Sequence, residues 1–185
     1  MKQQPAAPSF TTLTEDQTTN AGQTVASILG TSVTDPDTGA SQGIAITSLA
    51  SGNGSWQYST DGGASWHSVS GLTGGNGLLL ADTDKIRFVP DGQNATSASF
   101  TYHAWDRSTG TAGSLASLAA TGGTTAFSPT TNTATIAVSA VNDAPVLAAG
   151  DSTLISITED DTANAGELVS TLRGATTDAD SGAVQ

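Results

Sequence analysis

Short stretches of alternating apolar and polar residues, broken by Gly, Pro and Asp, run along most of this chain. Period-two alternation places successive side chains on opposite faces of an extended backbone, so each stretch predicts a strand. Phe10 to Thr14 reads as the first and Thr24 to Leu29, closed by Gly30, as the second. Ile44, Ile46 and Leu49 give a third. Trp56-Gln57-Tyr58 and Trp66-His67-Ser68-Val69 flank Asp61-Gly62-Gly63, which predicts a hairpin with Trp56 and Trp66 as cross-strand partners. Leu78 to Leu80 and Ile86 to Val89 follow. Phe100, Tyr102 and Ala104 then alternate with Thr101, His103 and Trp105, and Ala134, Ile136, Val138 and Ala140 mark the last strand. Residues 107–131, rich in Gly, Ser, Thr and Ala, read as a long loop between them. Eight or nine strands over residues 9–147, with no competing helical stripe, predict an all-β fold, an antiparallel sandwich.

The same pattern then starts again. Leu13-Thr14-Glu15-Asp16-Gln17-Thr18-Thr19-Asn20-Ala21-Gly22 recurs as Ile157-Thr158-Glu159-Asp160-Asp161-Thr162-Ala163-Asn164-Ala165-Gly166. Asp35-Pro36-Asp37-Thr38-Gly39 recurs as Asp178-Ala179-Asp180-Ser181-Gly182 after a one-residue deletion. An offset of 144 residues (Glu15 to Glu159) is the length of a whole domain rather than of a solenoid unit. The expected organisation is a tail at 1–8, a complete repeat at 9–143, and at 144–185 the first strands of the next. Ala140-Val141-Asn142-Asp143-Ala144-Pro145 is the joint between them.

Charge narrows the partners. Five Lys and Arg stand against 17 Asp and Glu, a net charge of −12. Such a surface repels phosphate, so nucleic acid and anionic membrane are not expected partners. No stretch is apolar enough for membrane insertion. The absence of cysteine removes thiolate sites, disulfides and Cys nucleophiles. Met1 to Phe10 lacks the apolar core of a signal peptide.

Fourteen of the 17 acids are Asp, whose short carboxylate suits turns and also suits hard cations such as Ca²⁺. Candidate ligands are Glu15 and Asp16, Asp35 and Asp37, Asp91, Asp106, Asn142 and Asp143, and Asp178 and Asp180. For any one of them a solvated turn is an equally good reading. The recurrence of Glu-Asp and Asp-x-Asp-x-Gly in both copies makes the set more telling than its members. An EF-hand fails, because position 12 of a loop starting at Asp35 is Ile46 and not Glu. His67 and His103 have no third ligand at metal spacing, no Gly-x-Ser-x-Gly elbow occurs, and no enzyme is expected. Ser59 to Trp66 has the form of an Asp-box turn, present once rather than once per propeller blade.

The order Thr-Glu-Asp, Asp-x-Asp, Phe-x-Tyr-x-Ala-x-Asp and Val-Asn-Asp-Ala-Pro resembles the cadherin-like tandem repeats of large bacterial surface and RTX-type adhesins. That resemblance implies an Ig/cadherin-like sandwich on a secreted, cell-surface protein, with Ca²⁺ at each joint between repeats. It implies that Glu15, Asp16 and Asp91 come from the lower end of one repeat and Asn142 and Asp143 from the linker. Asp178 and Asp180 come from the next repeat, and Asp35 and Asp37 serve a preceding joint. The linker has Ala140 and Ala144 where the family has an acid and an amide. Fewer ligands imply weak binding, about 10⁻⁴–10⁻³ M as in extracellular modules. The alternative is a carbohydrate-binding (lectin-like) module using Trp56, Tyr58, Trp66 or Trp105, or a homophilic adhesion module that pairs with a like chain.

Overall fold

The computed structural model describes residues 8, 10–33, 41–147, 153–172 and 174–183. The chain divides into two compact units, 1–141 and 142–185. In chain order the first unit contains β1 (Leu13–Thr14), β2 (Gln23–Thr24), α1 (Val25–Leu29), β3 (Gly43–Ala50), β4 (Gly54–Ser59) and β5 (His67–Ser68). It continues with β6 (Asn76–Ala81), β7 (Lys85–Pro90), β8 (Thr96–Trp105), β9 (Leu115–Ser117) and β10 (Phe127–Ser139). Six strands form one sheet in the order β1-β10-β8-β3-β6-β9, and four form the other in the order β2-β7-β4-β5. Every pairing is antiparallel except β1 with β10, which run parallel through Leu13–Val138 and Thr14–Ser139. The unit is an all-β sandwich.

Its core follows from the alternation. Ile44 and Ile46, Ile86 and Phe88, Phe100 and Tyr102, and Ala134, Ile136 and Val138 pack into one buried cluster. Trp56 is the hub: its ring lies 5.3 Å from Phe10, 5.1 Å from Phe88 and 5.3 Å from Phe100. Tilted and edge-on aromatic pairs of this kind each add about 0.5–1.5 kcal/mol beyond the area they bury.

Several sequence expectations change here. Residues 25–29 are a helix, not a strand. Val25, Ile28 and Leu29 are buried at helical spacing, the Thr24 side chain accepts the Ser27 N–H, and Gly30 ends the turn at φ 51°. At five residues the segment is too short for its period to stand out from a strand of the same composition. Residues 107–131 are not one loop: they contain β9 and the first residues of β10. The excursion folds over the outer face of the larger sheet, where the Trp105 indole donates to the Thr109 carbonyl at 2.7 Å and Phe127 and Ala126 pack with Leu79 and Ala45. That cover explains why Leu78 to Leu80 are apolar without alternation.

The hairpin forms with Gln57 opposite Ser68 and Tyr58 opposite His67. Trp56 and Trp66 are not partners: Trp56 is buried in the core, while Trp66 lies outside under the Arg87 guanidinium, 4.1 Å from its ring centroid. Ala140 lies beyond the end of β10 and is exposed.

In the second unit, β11 (Val146–Leu147) pairs antiparallel with β12 (Thr176–Thr177), and α2 (Val169–Leu172) lies between them in sequence. Residues 153–168, which match the stretch carrying β1 and β2, contain no strand. Leu154, Ile155, Ile157, Leu168 and Val169 are 61–75% exposed.

Candidate metal-binding residues

Among the described candidates, Glu15 is the one fully buried acid, at 1% exposure. The parallel pairing of β1 with β10 carries it there, since its N–H donates to the Ser139 carbonyl at 3.0 Å. One carboxylate oxygen, Oε1, accepts the Val141 N–H at 2.8 Å. The other, Oε2, is buried and has no hydrogen-bond partner. Leaving a carboxylate oxygen dry and unpaired is costly, so such an atom calls for a partner. Asp16, next in sequence, is exposed.

Asp91 serves its own turn. Its Oδ1 accepts the N–H groups of Gln93 and Asn94 at 3.0 Å each, and its Oδ2 accepts the Asn94 side-chain amide at 2.6 Å. The Asn94 amide, followed by those backbone donors, holds the Asp91 carboxyl below the usual carboxylate range. This turn borders the residues after Glu15: a Cβ at Gly92 would meet Thr18 at 3.5 Å.

In the second unit, the Asp143 N–H donates to Asp180 Oδ2 at 3.0 Å, and the Asp180 N–H donates to Asp178 Oδ1 at 2.9 Å. The linker aspartate and the Asp-x-Asp loop are therefore joined by hydrogen bonds, with all three half-buried. Asn142 is exposed and donates from Nδ2 to the Asp143 carbonyl at 3.0 Å. Asp35 and Asp37 lie outside the described residues. Asp106 caps its own loop by accepting the Ser108 N–H at 2.8 Å. Among the described residues, no three His, Asp or Glu side chains come together as a ready-made metal cage.

A second acidic pair, Asp82 and Asp84, lies outside the candidate set. Asp84 is 6% exposed and accepts the Ala81 N–H at 2.7 Å, and burial pushes its carboxyl above the usual range. Asp82 beside it forms an ion pair with Arg107 at 3.2 Å. The Asp-Thr-Asp spacing was the available signal, hidden because the same two residues make a tight turn between β6 and β7. Val141 was also missed, since its contribution is a backbone N–H.

The aromatic residues considered for sugar stacking offer little open surface. Trp56 and Trp105 are buried, Arg87 covers Trp66, and Tyr58 leans on His67 with centroids 5.6 Å apart. Arg87 is itself committed, donating to Gln57 Oε1 and to the Asn20 carbonyl. Asp61 accepts from the Ser59 and Ser65 hydroxyls and the Ser65 N–H, so the Asp-box segment is a self-satisfied turn. These elements define an all-β sandwich. Compared with protein-family models, with curated proteins and with solved structures, the chain has no match.

Proposed function

We propose that this chain is a calcium-rigidified structural spacer, a cadherin-like repeat and the start of the next, from a long extracellular, cell-surface adhesin. Its role is mechanical rather than enzymatic. The observation that carries the reading is Glu15: a buried carboxylate with one oxygen on the linker N–H and the other unpaired. Hard divalent cations are bound by such oxygens. Asn142 follows Val141 directly in the chain, so the residue Glu15 holds is the one that precedes the linker ligands. Asp143, Asp178 and Asp180, already hydrogen-bonded together, supply the second group of oxygens. The residues present fit Ca²⁺ by donor chemistry. Bound there, the cation would neutralise carboxylates that otherwise repel one another and so stiffen the joint.

A differential melt tests the reading. The 185-residue chain in EDTA should melt lower than in 10 mM Ca²⁺, and Glu15→Gln should abolish the difference. With a Kd of about 1 mM the gain is about 1.4 kcal/mol. Equal melting temperatures in both buffers would defeat the proposal.

A further inference from the structure

We infer that Asn53 is a site of spontaneous modification: in the folded chain the Gly54 backbone nitrogen displaces its side-chain amide, leaving aspartate or isoaspartate. The chain contains two Asn-Gly pairs, Asn53-Gly54 and Asn76-Gly77, and the chemistry open to both is the same. The glycine N–H gives its proton to hydroxide, the nitrogen attacks the Asn Cγ, and the amide group takes up a proton and leaves as ammonia. Water then opens the cyclic imide at either carbonyl, so that overall NH2 is replaced by OH. Glycine favours ring closure because no Cβ obstructs the backbone rotation it needs. The reaction requires a free Asn side chain, a free glycine N–H and access for water.

Asn53 meets all three conditions. It is exposed, and among the described residues its side chain makes no hydrogen bond. The sheet register frees the nitrogen. Antiparallel strands alternate between pairs that exchange N–H···O bonds and pairs that do not. Gly54 stands opposite Pro90, and the Asp91 N–H donates to the Asn53 carbonyl at 3.2 Å, a bond that brackets a non-bonded pair. The Gly54 N–H therefore points away from β7. On its other side β5 pairs only with Gln57 and Tyr58, and the bond nearest Gly54 there runs from the Val69 N–H to the Trp56 carbonyl. Asn76 meets none of the conditions. Its Oδ1 accepts the Thr73 N–H at 2.7 Å and its Nδ2 donates to the Gly71 carbonyl at 3.0 Å. Bonds from the Leu118 N–H to the Gly75 carbonyl and from the Leu79 N–H to the Ser114 carbonyl bracket Gly77 and Ala116 as a bonded pair, so the Gly77 N–H is spent in the ladder. Gly77 is also buried.

Packing keeps the reactive pair in place. A Cβ at Gly54 would lie 2.5 Å from the Val89 carbonyl oxygen and closer still to the Phe88 ring, so only glycine fits after Asn53. The product adds a carboxylate to a chain already at −12. It does so beside the Asp91 turn, which the Asn53 carbonyl holds and whose Gly92 borders Thr18. The isoaspartate form also inserts a methylene into the main chain at a residue whose N–H donates to Thr96 Oγ1 at 3.2 Å. That rim of the sandwich thus gains charge with time, without any partner, and independently of calcium.

The test incubates the 185-residue chain in mildly alkaline buffer, folded and, in parallel, unfolded in concentrated urea. Digestion after aromatic residues puts Asn53 and Asn76 on separate peptides, and mass mapping reads the exchange of NH for O in each. In the folded chain Asn53 should convert at least about tenfold faster than Asn76, whose bonds must first open. In urea, where neither pair is held, the two rates should agree within about twofold. Asn53→Gln, which keeps the amide but needs a larger ring, should remove the main acidic species that ion exchange resolves from the aged folded chain. Equal rates in the folded chain, a ratio that persists in urea, conversion of Asn53 only in urea, or survival of that acidic species in Asn53→Gln would each overturn the inference.

Discussion

Residues 10–29 and 153–172 are the same segment in two settings. Both carry a turn bonded through Asn, a left-handed glycine and a short helix, with the same local hydrogen bonds. In the first, Phe10, Val25, Ile28 and Leu29 are buried; in the second, Leu154, Leu168 and Val169 lie open. Local structure here is written in local sequence. Burial, and the stability that comes with it, is supplied by strands elsewhere in the chain.

Matched substitutions break or sharpen that contrast. The largest effect belongs to Phe10→Ala, which empties a seat between Trp56 and Phe100 and should cost about 3–5 kcal/mol in a denaturant melt. Leu154→Ala, at the matching place, should stay within about 0.5 kcal/mol. If both cost the same, the second segment is buried in solution and the contrast fails. Next comes Asn20→Ala, which strips a bond from the Phe88 carbonyl and another from the Gly22 N–H, for about 1–3 kcal/mol. Asn164→Ala loses only a local bond and should be near neutral by the same melt.

A smaller effect concerns pH. Burial raises the Asp84 carboxyl above its ordinary value of 3.8, so the folded state holds that proton more tightly than the unfolded chain. The stability it contributes is full below that value and is lost as pH rises through the higher folded one. Asp84→Asn keeps an acceptor for the Ala81 N–H and removes the charge, so it should raise the neutral-pH melting temperature by a few degrees. A lower melting temperature at pH 7 would show that the ionised carboxylate is needed in the turn.

The strands were legible wherever one face is buried and the other wet: Phe100 and Tyr102 against Thr101, or Ile136 and Val138 against Thr135 and Ala137. The repeat was legible because two copies of Glu-Asp and Asp-x-Asp stand in one chain. What escaped was decided by distant partners. Val25–Leu29 reads as a strand until its caps at Thr24 and Gly30 are seen, and Leu115–Ser117 becomes a strand only through pairing with Asn76–Leu78. The candidate site was half visible. Its acids could be named from sequence, but the burial of Glu15 arises from a parallel pairing across 125 residues, and its clamp on Val141 uses a backbone group that no side-chain motif marks.

The most direct test of the spacer reading is a calcium titration of the 185-residue chain beside its Glu15→Gln variant, followed by melting temperature. The account predicts a saturable rise with a midpoint of about 0.1–1 mM in the parent chain and a flat line in the variant. A flat line in both, or the same rise in both, would contradict it.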